Sequence, residues 1–134
     1  MAANTSPIFP AVVRNVGLSV VPNGAITART AIAGVTGLGL LFTAGANGSR
    51  IDQCTLQATG TTLAGLLDFW VYDGTTSRML SETLVAVVAA STTVAGWTTV
   101  VTFTNLVIPS GYGLYISSQV GSQLVGAITT GGDY

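Results

Sequence analysis

Six of the nine charged side chains in this 134-residue chain lie in or close to one stretch, Gly45–Gly74: Arg50, Asp52, Asp68, Asp73, Arg78 and Glu82. The same stretch holds the single cysteine, Cys54, and the first tryptophan, Trp70. These are the groups with which the chain could do chemistry, and their types exclude most of it. The sequence has no histidine and no lysine. That removes the commonest general base, the commonest zinc ligand and the amine that forms Schiff bases. Cys54 has no imidazole in the chain to activate it, and it falls on the apolar face of an alternating segment, where a thiol packs as a small hydrophobe.

Asp68 and Asp73 are the only carboxylates close enough along one strand to consider as an acid–base pair. Glycoside hydrolysis needs two carboxyl groups facing each other across a cleft. Five residues apart on a regular strand, these two point to opposite faces. Asp73 precedes Gly74, where an aspartate serves the turn. Asp68 sits on an otherwise apolar face, where an unpaired carboxylate is costly, so a structural ion pair with Arg50 or Arg78 is expected. The remaining carboxylates are too scattered for a calcium site. The glycines of Gly34–Gly39 lack the Lys-Ser/Thr that a phosphate loop requires. No catalytic, cofactor-binding or metal-binding residue is therefore assigned, and the chain does not read as an enzyme.

The elements that carry these residues read as strands. Ile51–Ala58 alternates, with Cys54, Leu56 and Ala58 on one face and Gln53, Thr55 and Gln57 on the other. Leu66–Tyr72 is apolar on both faces: Leu67, Phe69 and Val71 on one, Leu66, Trp70 and Tyr72 on the other, around Asp68. Such a strand is central, or one of its faces meets a partner. Asn47-Gly48 gives a hairpin signal and Asp73-Gly74 a turn. Further strands are expected near Gly17–Val21, Ala25–Ile32, Val35–Thr43, Ser77–Leu80, Glu82–Ala90, Thr98–Asn105, Tyr112–Ser118 and Gln123–Thr130. Short strands at near-regular spacing, with turn dipeptides between them, predict an all-β sandwich or barrel. Pro7, Pro10 and Pro22 set the beginning of the chain apart, because proline tolerates only extended, turn or edge positions. Residues 1–30 therefore read as an extended N-terminal arm and first strand, and residues 31–134 as the sandwich.

Charged residues make up 7% of the chain, against about 25% in ordinary soluble proteins. Polarity comes instead from 20 threonines and 10 serines, with 17 glycines. A net charge of −1 leaves no electrostatic footprint for nucleic acid or an anionic membrane. The charge-free stretches Thr30–Ser49 and Thr83–Gly132 are broken by glycine and hydroxyl residues, so neither makes a spanning helix of about 20 apolar residues. The N-terminus lacks the basic start and apolar run of a signal peptide. A surface this poor in charge keeps copies apart badly, which favours faces covered in an assembly. The apolar pairs Ile8-Phe9 and Val12-Val13 are costly to leave wet, as is the face formed by Leu66, Trp70 and Tyr72. With Trp97 and Tyr115, and with Tyr112 beside them, these aromatics suit either a protein interface or a platform for stacking sugars.

The string Phe42-Thr-Ala-Gly-Ala-Asn-Gly-Ser-Arg-Ile-Asp-Gln resembles a family of small tailed-phage virion proteins. So do Gln57-Ala-Thr-Gly-Thr-Thr-Leu-Ala-Gly, Tyr72-Asp-Gly-Thr, Arg78-Met-Leu-Ser-Glu, Val107-Ile-Pro-Ser-Gly-Tyr and the terminal Gly131-Gly-Asp-Tyr. The resemblance covers roughly residues 40–134 and, more weakly, the arm. It implies a capsid decoration or cement protein of the bacteriophage virion. The fold would be a jelly-roll-like antiparallel β-sandwich forming a homotrimer on the capsid surface. The partner would be the major capsid protein, the arm would reach across a seam, and there would be no catalytic residue and no cofactor. A tail-associated or receptor-binding β-sandwich that recognises host glycans is the alternative.

Overall fold

A computed structural model describes residues 10, 12–19, 21–22 and 26–134. Two antiparallel sheets pack into a sandwich, with no helix among the described residues. In chain order the strands are β1 (Val12–Leu18), β2 (Ile32–Ala33), β3 (Gly39–Thr43), β4 (Ser49–Ala58), β5 (Gly65–Tyr72), β6 (Thr76–Val85), β7 (Thr98–Ile108), β8 (Gly113–Ser118) and β9 (Val125–Asp133). One sheet has the order β1-β9-β4-β7 and the other β2-β6-β5-β8-β3. Alternation in the sequence explains which face turns inward. Ile51, Cys54 and Leu56 of β4 meet Leu67 and Phe69 of β5, with Phe42, Leu114, Ile116 and Ala127 completing a continuous core. Each such side chain, once buried, contributes about 1.5–3 kcal/mol. Phe69 and Phe103 meet edge to face across the two sheets, their centroids 5.4 Å apart.

The two sides of the sandwich differ. Along the β1/β3 side Arg14 closes the gap. Its Nη1 donates to the Thr43 carbonyl at 2.7 Å and to Asp133 Oδ1 at 3.0 Å, and its guanidinium lies 4.4 Å from the Phe42 ring centroid. Along the β6/β7 side a groove of about 360 Å³ separates the sheets, lined by Leu80–Thr83 and Val101–Leu106.

Several elements depart from the sequence expectation. Within the stretch expected to be an extended arm and first strand, residues 12–18 are a strand of the sandwich paired along their length with β9. Ile8 and Phe9 lie outside the described residues. Of the strand expected over Ala25–Ile32, Ala25 lies outside the described residues and only Ile32–Ala33 forms a strand; Arg29 before it pairs through Nε with Glu82 of β6. Ser77–Leu80 and Glu82–Ala90 are not two strands. They form one strand, β6, whose register with β5 shifts between Phe69 and Trp70 and so breaks the alternation. Beyond Val85 the buried Thr62 draws the chain away from the sheet: its Oγ1 donates to the Ala86 carbonyl and accepts from the Val88 amide. Asn47-Gly48 turns the chain from one sheet to the other instead of closing a hairpin. Gly48 (φ +86°) and Gly74 (φ +97°) supply the left-handed backbone these corners need.

Candidate functional site

The charged groups singled out in the sequence are used in the architecture. Asp73 caps the β5–β6 turn: Oδ1 accepts from the Thr75 and Thr76 amides at 3.0 and 2.8 Å, and Oδ2 from Arg78 Nη1 at 2.6 Å. The backbone amide of Thr76 and the Arg78 guanidinium hold its carboxyl well below the usual carboxylate range. Arg50 pairs with its near neighbour Asp52 at 2.9 Å.

Asp68 pairs with neither Arg50 nor Arg78, contrary to the sequence expectation. It is fully buried, and both its oxygens accept from Gln119 Nε2, at 3.1 and 3.0 Å. Arg50 lies on the other sheet and Arg78 is taken by the turn, so neither can reach it. Glu82 stands directly across from Asp68 in the β5–β6 register and carries the Arg29 guanidinium. Burial pushes the Asp68 carboxyl up, against the Gln119 hydrogen bond. Cys54 is fully buried in the core, where burial pushes its thiol up to about 11, which leaves it inert as a nucleophile.

The aromatic residues form no common platform. Trp70 is on the face of β5 turned away from the core, yet it is 0% exposed, and its Nε1 donates to Ser117 Oγ at 3.0 Å. Described parts of the chain between β1 and β3 lie against this sheet: the Pro22 carbonyl accepts from the Ser118 amide at the end of β8, Arg29 reaches Glu82, and β2 joins β6 at the edge. The expectation that Trp70 forms an interface is corrected: its side chain is buried within this chain. Tyr72 and Tyr115 are half-buried beside it, edge to face at 5.8 Å, with Tyr72 Oη donating to the Gly74 carbonyl. Trp97 and Tyr112 are half-buried against the core. Leu66 is half-buried, paired across the strands with the exposed Leu84.

Among the described residues, the more open face belongs to the other sheet. Its outward side chains form rungs across the strands: Val13–Gly132–Arg50–Val107, Asn15–Thr130–Gln53–Thr102, Gly17–Ile128–Thr55–Val100 and Gly126–Gln57–Thr98. Val13 is 80% exposed, Ile128 54%, Val107 53% and Val100 52%. The only charge in these rungs is Arg50, already neutralised by Asp52. Beside Gly17, where an added Cβ would meet nothing within 4 Å, a groove of about 400 Å³ opens between Ser19, Thr55, Gln57, Thr59 and Ile128. Sequence reasoning found Val12 and Val13, both exposed here, but missed Val100, Val107 and Ile128. The signal was available in the alternation of Thr98–Asn105, where Val100 stands opposite Val101 and Phe103.

Comparison with protein-family models, with curated proteins and with solved structures returns no match. The geometry alone therefore argues for function. It offers no cluster of groups that could hold a metal among the described residues. No helix there is long and apolar enough to cross a membrane. What it offers is a broad, neutral face of β-branched, hydroxyl and amide side chains. Such a face is suited to burial against another protein, because desolvating it strips water from almost no charge.

Proposed function

We propose that this chain is a structural protein of a phage virion that decorates and stabilises the capsid shell. The observation that carries this reading is the net-neutral outer face of the four-stranded sheet, where Arg50 is paired with Asp52 and four apolar β-branched side chains are exposed. Buried against the major capsid protein, those side chains would each contribute about 1.5–3 kcal/mol, and the threonine and glutamine rungs would supply directional hydrogen bonds. The role is non-enzymatic: contacts across subunit boundaries resist the outward pressure of packaged DNA.

Connectivity supports the jelly-roll reading. With the two-residue β2 set aside, eight strands remain, and their order is first-eighth-third-sixth in one sheet and second-seventh-fourth-fifth in the other. That order arises when one long antiparallel ribbon of eight strands is wrapped into two sheets. The glycan-binding alternative loses its main support, since Trp70 is buried and the remaining aromatics do not line one exposed groove.

The reading is tested by co-sedimentation with shells that lack the protein. The unsubstituted chain should pellet with the shells to saturation. Ile128→Lys, which places an ammonium in the middle of the face, should remain folded and weaken binding at least tenfold. Equal binding by the variant would remove this face from the account.

A further inference from the structure

The β6/β7 side of the sandwich ends in an edge strand with no second pairing partner among the described residues. β7 is 11 residues long and is paired only with β4. Among the described residues no backbone group hydrogen-bonds to its outer side. Edge strands of this length are normally blunted by lysine, proline or an inward-pointing charge. Thr98–Ile108 contains no charged residue and no proline. Beside it the groove of about 360 Å³ leaves Val101 and Phe103 partly open, and Leu84 of the neighbouring strand is 71% exposed.

We propose that β7 pairs antiparallel with the β7 strand of a second copy of this chain, about a two-fold axis at Val101. Register selects that axis. Asn105 has φ +55° and interrupts the alternation, so Thr98–Thr104 is the regular part of the strand. Within it Thr98, Val100, Thr102 and Thr104 face outward, while Thr99, Val101 and Phe103 face the core side. Cross-strand partners must share a face. An axis at Val101 uses all seven residues. It matches Thr98 with Thr104, Thr99 with Phe103 and Val100 with Thr102, and every pair keeps its face.

No pair opposes like charges about that axis, because the strand carries none. The seven paired residues span about 24 Å at about 3.4 Å per residue, and a side two sheets deep adds about 10 Å plus side chains. This gives roughly 450 Å² per partner, the size of a weak, reversible interface. Pairing would join the two four-stranded sheets into one eight-stranded sheet and double the width of the neutral face. A two-fold pair replaces the three-fold assembly that the family resemblance implies.

The test uses the isolated chain, so it is independent of any shell. Light scattering should give twice the 13.5 kDa mass of one chain. Combining Val100→Lys with Thr102→Lys sets ammonium against ammonium on both sides of the axis. It should raise the dissociation constant at least 100-fold with an unchanged circular dichroism spectrum. Combining Val100→Glu with Thr102→Glu should do the same, and mixing the two variants should restore the dimer. Val13→Lys with Asn15→Lys, on the opposite edge strand β1, should leave it intact. Hydrogen exchange on the unsubstituted chain gives a reading that needs no variant: every amide from 98 to 104 should be protected at dimer concentrations. A monomer, a trimer, a dimer lost only in the β1 variant, or fast exchange of alternate β7 amides in the dimer would each overturn the proposal.

Discussion

Asp68 and Asp73 lie five residues apart and pull the stability of the fold in opposite directions with pH. Asp68 has its carboxyl pushed up by burial, so keeping it ionised costs stability. That cost is present above its folded value and vanishes as pH falls below the unfolded value of about 3.9. Asp73 is held down by the Thr76 amide and the Arg78 guanidinium, as Asp133 is by Ser49 and Arg14. Their contribution is full above about pH 4 and is lost as pH falls further, through their folded values. Thermal melting followed across pH should therefore show stability rising on mild acidification from neutrality and falling again under strongly acid conditions. Asp68→Asn should melt a few degrees higher than the parent at pH 7 and lose the rise. Asp73→Ala should melt lower at pH 7 and show a shallower acid decline. A parent profile that is flat between pH 7 and pH 4, unchanged by Asp68→Asn, would contradict the assignment. The Asp73 turn was legible in the sequence because its partners are local. The Asp68 partner was not, because Gln119 is 51 residues away and only the pairing of β5 with β8 brings it near.

At the scale of elements, the alternation of Ile51–Ala58 assigned the core face of β4, since a period of two leaves one apolar face to bury, and the two apolar faces of Leu66–Tyr72 marked β5 as a central strand, which it is. Bulges were invisible, because they depend on the partner strand. β4 shifts register between Ile51 and Gln53 against both β7 and β9, and Gly131 answers that shift. A Cβ there would come within 2.4 Å of the Arg50 carbonyl oxygen and 3.1 Å of Ile51 Cα, both backbone atoms that cannot swing aside. Gly131→Ala should cost about 1–3 kcal/mol, the range for forced overpacking. Gly17→Ala, where an added Cβ meets nothing within 4 Å, should cost less than about 0.5 kcal/mol. Urea denaturation separates the two; equal losses would mean that β9 relaxes freely. The burial of Trp70 was equally illegible: residues 26–31 read as part of a strand, whereas Arg29 pairs with Glu82, 53 residues away. Truncating that buried side chain, in Trp70→Ala, should cost about 3–5 kcal/mol. In the unsubstituted protein, acrylamide should quench the half-buried Trp97 while sparing Trp70.

Among the described residues the sandwich has one side closed by Arg14 and one side open at β6/β7, and one of its two outer faces is the more exposed. Composition favours an assembling protein, because hydroxyls replace charge across the surface, but it does not say which face would assemble. The aromatic stretch drew attention to β5, whereas the more exposed face is built from β-branched and small residues of β1, β9, β4 and β7, which individually look unremarkable and acquire meaning only as rungs. On the proposed reading, the neutral face is the surface that would be buried against the shell. The most direct test is to add the purified chain to shells that lack it and image the particles. The account predicts density at regular shell positions, with the β1-β9-β4-β7 face turned toward the capsid. Particles that bind no protein, or that bind it only at the tail, would contradict it.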